Sequence, residues 1–320
     1  MNSVLEQLSN IGIVPVIKID RAKDALPLAN ALIKGGLPCA EVTFRTDAAE
    51  EAIRAISSAY PEMLVGAGTV LTTKQADTAV NAGAKFIVSP GFNSKVVAHC
   101  IKMGYPITPG ISSPSEIEQA IEMGLGVVKF FPAEAAGGLA VIKAMSAPYA
   151  GIKFIPTGGI NLSNFKSYLD FPKVLACGGS WMVSADMINS GDFEGIERLT
   201  SEAVKEMLGF NLAHIGINCK NEAEARGAAD SFSSIFGFKN VEGLGGILSG
   251  NIIELLKSPY LGKKGHIAIK TNYINRAIYH LELKGVSFSP ESTKYNAKGG
   301  LNAIYLLDEI GGFAVHLLQA

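Results

Sequence analysis

The feature that most constrains this chain is a unit that recurs from residue 11 to about 180: a short apolar run, a polar turn, an amphipathic stretch and a glycine. The runs are IGIVPVIKI (11–19), CAEVTF (39–44), LVGAGTV (64–70), KFIVSPG (85–91), YPITPG (105–110), GVVKFFP (126–132), IKFIPTGG (152–159) and VLACGGS (174–180). Stretches between them, such as AKDALPLANALIKGG and SPSEIEQAIEMG, have helical spacing and end in Gly, as a helix C-cap prefers. Near-continuous apolar strands alternating with helices predict a parallel sheet covered on both faces. Eight such units predict an α/β fold of the (β/α)8 TIM-barrel type. An open doubly wound sheet is the alternative, and the missing GxGxxG after the first run speaks against it.

The pattern changes after Leu208, so the barrel is assigned residues 1–208 and a second domain residues 211–320. That second part reads as two similar blocks. The first is NLAHIGINC, a helix NEAEARGAADSFSSIFGF and GGILSGNIIELLKS; the second is GHIAIKT, a helix NYINRAIYHLELKGV and LNAIYLLDEIGGFAVHLLQ. Each is a strand, a helix and further strands, which predicts an internal repeat and an α+β domain.

Composition narrows the function classes. With 48% hydrophobic and 18% charged residues the 320-residue chain can bury a large core. A net charge of −1 leaves no footprint for nucleic acid or an anionic membrane surface. No apolar run approaches the roughly 18 residues of a membrane span. The start, MNSVLEQLSN, lacks the basic and apolar segments of a signal peptide. Cys39, Cys100, Cys177 and Cys219 form no CxxC pair, so a cytoplasmic, reducing location is expected.

In such a barrel, functional groups sit at the C-terminal ends of strands and phosphate is commonly held after strands seven and eight. On the sixth run, Val127, Lys129 and Phe131 share one face. Desolvation disfavours a charged amine among apolar neighbours and favours the neutral form that attacks a carbonyl, which makes Lys129 the candidate nucleophile. A strand-end lysine snorkelling to water is the plain alternative, and Lys18 fits it. On the second run Cys39, Glu41, Thr43 and Arg45 share one face. There Glu41 is placed to move protons and Arg45 to grip an anion, with a structural ion pair between them as the alternative. Thr69 offers a hydroxyl at the matching height of the third run. The seventh run ends Thr157-Gly158-Gly159 before Ile160-Asn161, where a helix is expected to begin, and the eighth ends Gly178-Gly179-Ser180. Each Gly pair alone makes a tight turn; together they predict a phosphate cradle of backbone N–H groups and a helix N-terminus. An amine, a carboxylate, an anion clamp and a phosphate cradle point to carbon–carbon bond chemistry through a Schiff base. Residues 1–209 hold one histidine, His99, on a predicted helix, so a zinc-dependent route lacks ligands.

Residues 1 to about 208 resemble the 2-keto-3-deoxy-6-phosphogluconate / 2-keto-4-hydroxyglutarate aldolase family through EVTFRT (41–46), GAGTVL (66–71), SPG (89–91), PGIS (109–112), VVKFFPAE (127–134), PTGGI (156–160) and GGSW (178–181). The resemblance implies a cofactor-free class I aldolase, usually a homotrimer, of the Entner–Doudoroff route. Its substrate is a phosphorylated keto acid split into pyruvate and glyceraldehyde 3-phosphate. 2-Keto-4-hydroxyglutarate and the phosphogalactonate epimer are the other substrates it leaves open. By motif Lys129 is the Schiff-base lysine and Glu41 the acid/base. Arg45 and Thr69 contact the pyruvate carboxylate, Pro90 and Phe131 line the pocket, and Thr157, Gly158, Gly159, Gly179 and Ser180 form the phosphate side. Phe44 stands where that family often has Leu. Residues 211–320 resemble the glyoxalase-like vicinal-oxygen-chelate domains, which pair two βαβββ modules around a metal. The matching positions are His214, Glu254, His266 and His316, the last standing where that family usually has Glu. This set suits a divalent Zn, Ni, Co or Mn ion. A domain that kept the fold and lost its metal, a sensor or assembly module, and a metal domain that carries the activity are the other readings.

Overall fold

The strands β1 (Ile13–Ile17), β2 (Cys39–Thr43) and β3 (Leu64–Gly68) are buried along their whole length, as strands covered on both faces must be. They belong to the first of two units in the computed structural model, one ending at Glu206 and the other beginning at Met207; the structure describes residues 3–320. The same unit holds β4 (Phe86–Val88), β5 (Ile107–Thr108), β6 (Gly110–Ile111), β7 (Val127–Phe130), β8 (Lys153–Pro156) and β9 (Cys177–Gly179). Their order is β5-β4-β3-β2-β1-β9 in one sheet and β6-β7-β8 in another, every pair parallel. Parallel bridges Phe154–Val174 and Thr157–Gly178 continue β8 onto the chain entering β9. The first unit is thus a curled parallel α/β sheet.

The fifth apolar run is two short strands rather than one. Pro109 lies between β5, which pairs with β4, and β6, which pairs with β7. Proline has no N–H to give to a ladder, but its carbonyl still accepts from the Lys129 amide at 2.9 Å. Helix boundaries follow local chemistry. Asn93 caps the helix Ser94–Met103, which ends at Gly104 with φ +74°. Ser113 and Glu116 form a capping box at the start of Pro114–Glu122.

In the second unit, β10 (Asn211–Asn218), a helix (Glu222–Phe236), β11 (Asn240–Glu242), β12 (Gly246–Ser249) and β13 (Ile253–Leu256) come first. The order then repeats as β14 (Gly265–Thr271), a helix (Ile274–Glu282), β15 (Lys294–Tyr295), β16 (Leu301–Tyr305) and β17 (Ala314–Gln319). The sheet runs β11-β12-β13-β10-β14-β17-β16-β15. Within each half the first strand lies parallel to the last, and the halves join antiparallel through β10 and β14. On one face Ala225 and Ala229 of the first helix pack against Ile247, Leu255 and Cys219. Among the described residues, no helix is long and apolar enough to cross a membrane.

Candidate active site

Lys129 on β7 and Glu41 on β2 lie 88 residues apart in the chain, yet Lys129 Nζ donates to Glu41 Oε1 at 3.0 Å. Lys129 is 6% exposed and Glu41 3%. The pairing of their strands with short neighbours makes room: a Cβ on Gly68 would collide with Glu41 Oε1. Below the pair, Leu8, Val14, Phe86, Val88, Thr108 and Ile155 enclose a cavity of about 10 Å³, space for about one water. Charges so far from bulk water each cost several kcal/mol and are tolerated because they are paired. Lys18, by contrast, bonds Asp20 at 2.6 Å with a 41% exposed side chain.

The ring of Phe131 lies with its centroid 5.6 Å from Lys129 Nζ. β7 ends at Phe130, so strand alternation does not place Phe131; the turn that follows does. Arg45 needs a correction of the same kind. β2 ends at Thr43, and Arg45 is exposed on the turn beyond it, its Nε donating to Thr43 Oγ1 at 3.1 Å while Thr43 donates to the Ile17 carbonyl. The ion pair that Glu41 makes is with Lys129, not the structural pair with Arg45 weighed as the alternative. Thr69 follows Gly68 with φ +54°, a left-handed conformation that costs a β-branched residue and persists only where its surroundings impose it. Pro90 abuts Gly110, whose Cβ would collide with the Pro90 carbonyl, and Gly110 pairs in register with Lys129.

The Thr157–Gly159 turn has its carbonyls turned to the protein. That of Thr157 accepts from the Ala133 amide at 2.8 Å and that of Gly158 from Glu134 at 3.0 Å, while Asn161 and Asn164 side chains donate to Gly159. Thr157 Oγ1 is buried with no hydrogen-bond partner among the described residues. Gly158 and Gly159 have φ +99° and +80°. A Cβ on Gly158 would lie 3.4 Å from Phe131 Cδ2, so this turn adjoins the aromatic ring beside Lys129. The Thr157–Gly178 bridge brings the second Gly pair alongside. The helix expected at Ile160-Asn161 starts instead at Phe165, because the Asn161 and Asn164 side chains take the local backbone groups into a turn. After Ser180 the next helix starts at Ala185. A helix N-terminus therefore does not directly follow either turn.

Two supporting residues, Glu134 and Trp181, escaped the sequence reading. Glu134 accepts a short hydrogen bond from the Tyr168 hydroxyl and fills the space a Gly159 Cβ would need, 2.6 Å from its own Cβ. Trp181 occupies the space beside Gly179 and stacks on Phe165 at 6.0 Å. Glu134 and Trp181 lie inside the motifs VVKFFPAE and GGSW, but only packing reveals their work. His99 bonds Asp77 at 2.7 Å from its helix.

In the second unit His214, His266 and His316 offer ligand atoms within 4.8 Å of one another. His266 Nε2 lies 3.0 Å from His214 Nε2 and 3.2 Å from Glu254 Oε2, and His214 Nε2 lies 3.6 Å from that same oxygen. Burial, then the neighbouring imidazoles and Lys294, push the His316 pKa down to about 3, and burial lowers that of His214. The hydrogen bond from His266 holds the Glu254 carboxyl below its usual range. Both ring nitrogens of His316 and Nδ1 of His266 are buried without a partner among the described residues. Converging imidazoles with orphaned nitrogens fit a divalent ion.

A curled parallel sheet with a buried lysine and carboxylate in hydrogen-bond contact defines a class, the lysine-dependent α/β enzymes. Within it, the chain belongs to the KDPG and KHG aldolase family, whose profile matches residues 4–199. It is 53% identical over 205 residues to the 2-dehydro-3-deoxy-phosphogluconate aldolase of Treponema pallidum (strain Nichols), covering 64% of this chain and 98% of that protein. With the KHG/KDPG aldolase of Escherichia coli (strain K12) it shares 44% over 193 residues, 60% of this chain and 91% of that one. A crystal structure of the KDPG aldolase of Legionella pneumophila, with pyruvate captured at low pH as a covalent carbinolamine intermediate, matches at 40% identity and TM-score 0.61. It covers 62% of this chain and 97% of that one. The second unit lies beyond the matched profile.

Proposed function

We propose that the first unit, closed as a (β/α)8 barrel, is a class I aldolase that cleaves 2-keto-3-deoxy-6-phosphogluconate to pyruvate and glyceraldehyde 3-phosphate, a lyase of the Entner–Doudoroff route. The observation that carries it is the 3.0 Å contact between Lys129 Nζ and Glu41 Oε1 in a nearly sealed interior. Glu41 takes a proton from the Lys129 ammonium, the freed amine adds to the C2 ketone, and water leaves as Glu41 gives that proton back, leaving a protonated imine. Glu41 takes the C4 hydroxyl proton, directly or through one water, the C3–C4 bond breaks, and its electrons enter the imine as an enamine. Glyceraldehyde 3-phosphate departs; Glu41 returns the proton to C3, and hydrolysis releases pyruvate and frees Lys129. In this reading Arg45 and Thr69 grip the pyruvate carboxylate, Pro90 and Phe131 wall the pocket, and Thr157, Gly158, Gly159, Gly179 and Ser180 hold the phosphate. The carbonyls of the Thr157–Gly159 turn support that last role, since each is engaged by a protein N–H donor. Barrel closure is supported by the bridges from β8 to the β9 approach and by the single residue between β5 and β6. The assembly proposed is the homotrimer usual in this family, and the location the cytoplasm.

Pyruvate release from a panel of the phosphogluconate keto acid, its galactonate epimer and 2-keto-4-hydroxyglutarate, with and without chelator, tests the reading. Release is expected to be fastest with a phosphorylated acid and unchanged by chelator; loss of activity with chelator contradicts an imine route. Gly159→Ala tests the phosphate side. Its strained φ and clash with Glu134 are expected to raise KM for the phosphorylated substrate by about tenfold or more, equivalent to ~1.4 kcal/mol of lost binding. Borohydride trapping of pyruvate at Lys129 should be unaffected.

The second unit is proposed to be a glyoxalase-like pair of βαβββ modules in which His214, Glu254, His266 and His316 hold a divalent ion such as Zn, Ni, Co or Mn. The orphaned nitrogens of His316 and His266 favour this over a module that has lost its metal. Such an ion supplies Lewis-acid polarisation of an oxygen ligand; the imidazoles and the carboxylate position and hold it.

A further inference from the structure

Arg45 is the cation assigned to the substrate carboxylate, yet it stands exposed on a turn, where a long side chain is free to sweep through many rotamers. The backbone of that turn is fixed. The Phe44 amide donates to the Gly68 carbonyl at the end of β3 and the Arg45 amide to the Thr43 carbonyl, both at 2.8 Å. The Thr46 hydroxyl donates to the Ile19 carbonyl, just past β1. Residues 44–46 are thereby tied to the chain on both sides of β2.

Thr43 fixes the side chain as well. It is buried at the end of β2, two residues beyond Glu41 on the same strand face. A threonine hydroxyl has one hydrogen to give, and that hydrogen goes to the Ile17 carbonyl at 2.7 Å. Towards Arg45 the oxygen can therefore only accept, which it does from Nε at 3.1 Å. With Nε taken, Nη1 and Nη2 remain, and neither has a protein partner among the described residues. These two groups form the flat end of the guanidinium and offer two parallel N–H bonds to a carboxylate. We infer, resting on the aldolase reading above, that Thr43 is a positioning residue of the reaction. Its hydroxyl, locked as an acceptor by Ile17, holds Arg45 with the Nη1–Nη2 edge presented to the keto-acid carboxylate. The grip is then end-on through Nη1 and Nη2, not side-on through Nε. Holding the guanidinium before substrate arrives removes the ordering cost that a free arginine incurs on binding. The carboxylate is common to every substrate that reading leaves open and to pyruvate itself, so Thr43 acts on all of them alike.

Thr43→Val keeps the branching and size of the side chain and removes the hydroxyl. Two quantities are followed: KM for the phosphogluconate keto acid, and the pyruvate concentration that half-saturates borohydride trapping at Lys129. Both are expected to rise about tenfold, the scale of one hydrogen bond to a charged group, while kcat changes by less than about threefold. Thr43→Ser keeps the hydroxyl and is expected to stay within about twofold of native on both. In an Arg45→Ala background Thr43→Val is expected to add nothing further to either, because Thr43 acts through Arg45. Should Thr43→Val not melt cooperatively, Thr43→Ala carries the same expectations. Native values in a folded Thr43→Val protein overturn the inference. An equal increment with and without Arg45, or a fall in kcat with KM unmoved, also overturns it, since a threonine that only supports the fold behaves in that way. A native chain that releases no pyruvate and traps none at Lys129 overturns the aldolase reading and this inference with it.

Discussion

Lys129→Ala is expected to lower aldol cleavage by at least about 10⁴-fold, the scale seen when a covalent nucleophile is removed. Borohydride with pyruvate should add mass at Lys129 in the native chain and nowhere in the variant. The expectation rests on burial and contact together: an amine 6% exposed, bonded to a carboxylate at 3.0 Å, has a proton acceptor at hand and little water to compete for the carbonyl. A cooperative melt establishes that the variant is folded. A folded Lys129→Ala protein with native turnover would end the Schiff-base reading.

Glu41→Gln has the second largest expected effect, and it has two parts. The amide keeps an oxygen to accept from Lys129 but gives up the proton acceptor, so kcat is expected to fall by about 10²–10⁴-fold. Pyruvate should still be trapped on Lys129 by borohydride, because imine formation needs the amine more than the acid. The second part is stability. An ammonium left in that interior without its counter-charge costs about 3–5 kcal/mol, so the melting temperature should drop. Glu41→Gln with native kcat would move the proton-transfer role to another group; unchanged stability would mean that the lysine is not held there as an ammonium.

How much of this was legible in the sequence varies with how local the cause is. Lys129 and Glu41 could be picked out because a buried strand has a period of two, and a charged residue inside an apolar run stands out against it. The same rule misplaced Arg45 and does not by itself account for Phe131, two and one residues past the ends of β2 and β7, although the turn still brings the Phe131 ring beside Lys129. The Gly pairs were readable as turns, but the helix expected after Gly159 starts later, since two asparagine side chains capture the backbone first. Glu134 and Trp181 act by filling space, beside Gly159 and Gly179 respectively, a role that packing shows and spacing along the chain does not. In the second unit the histidines drew notice by their positions on the strands, whereas their convergence with Glu254 emerged only from the register of those strands.

Taken alone, the order of amino acids determined the alternation of strands and helices, the change of pattern after Leu208, the residue types available for chemistry and the family resemblance, because these depend on spacing and side-chain identity along one stretch. Tertiary structure decided that residues 41 and 129 touch, that Pro90 lies against Gly110 on the strand beside the lysine's, and that three imidazoles converge within 4.8 Å. Those facts depend on how strands far apart in sequence pair and curl, a cooperative outcome of packing the whole core that no single segment encodes.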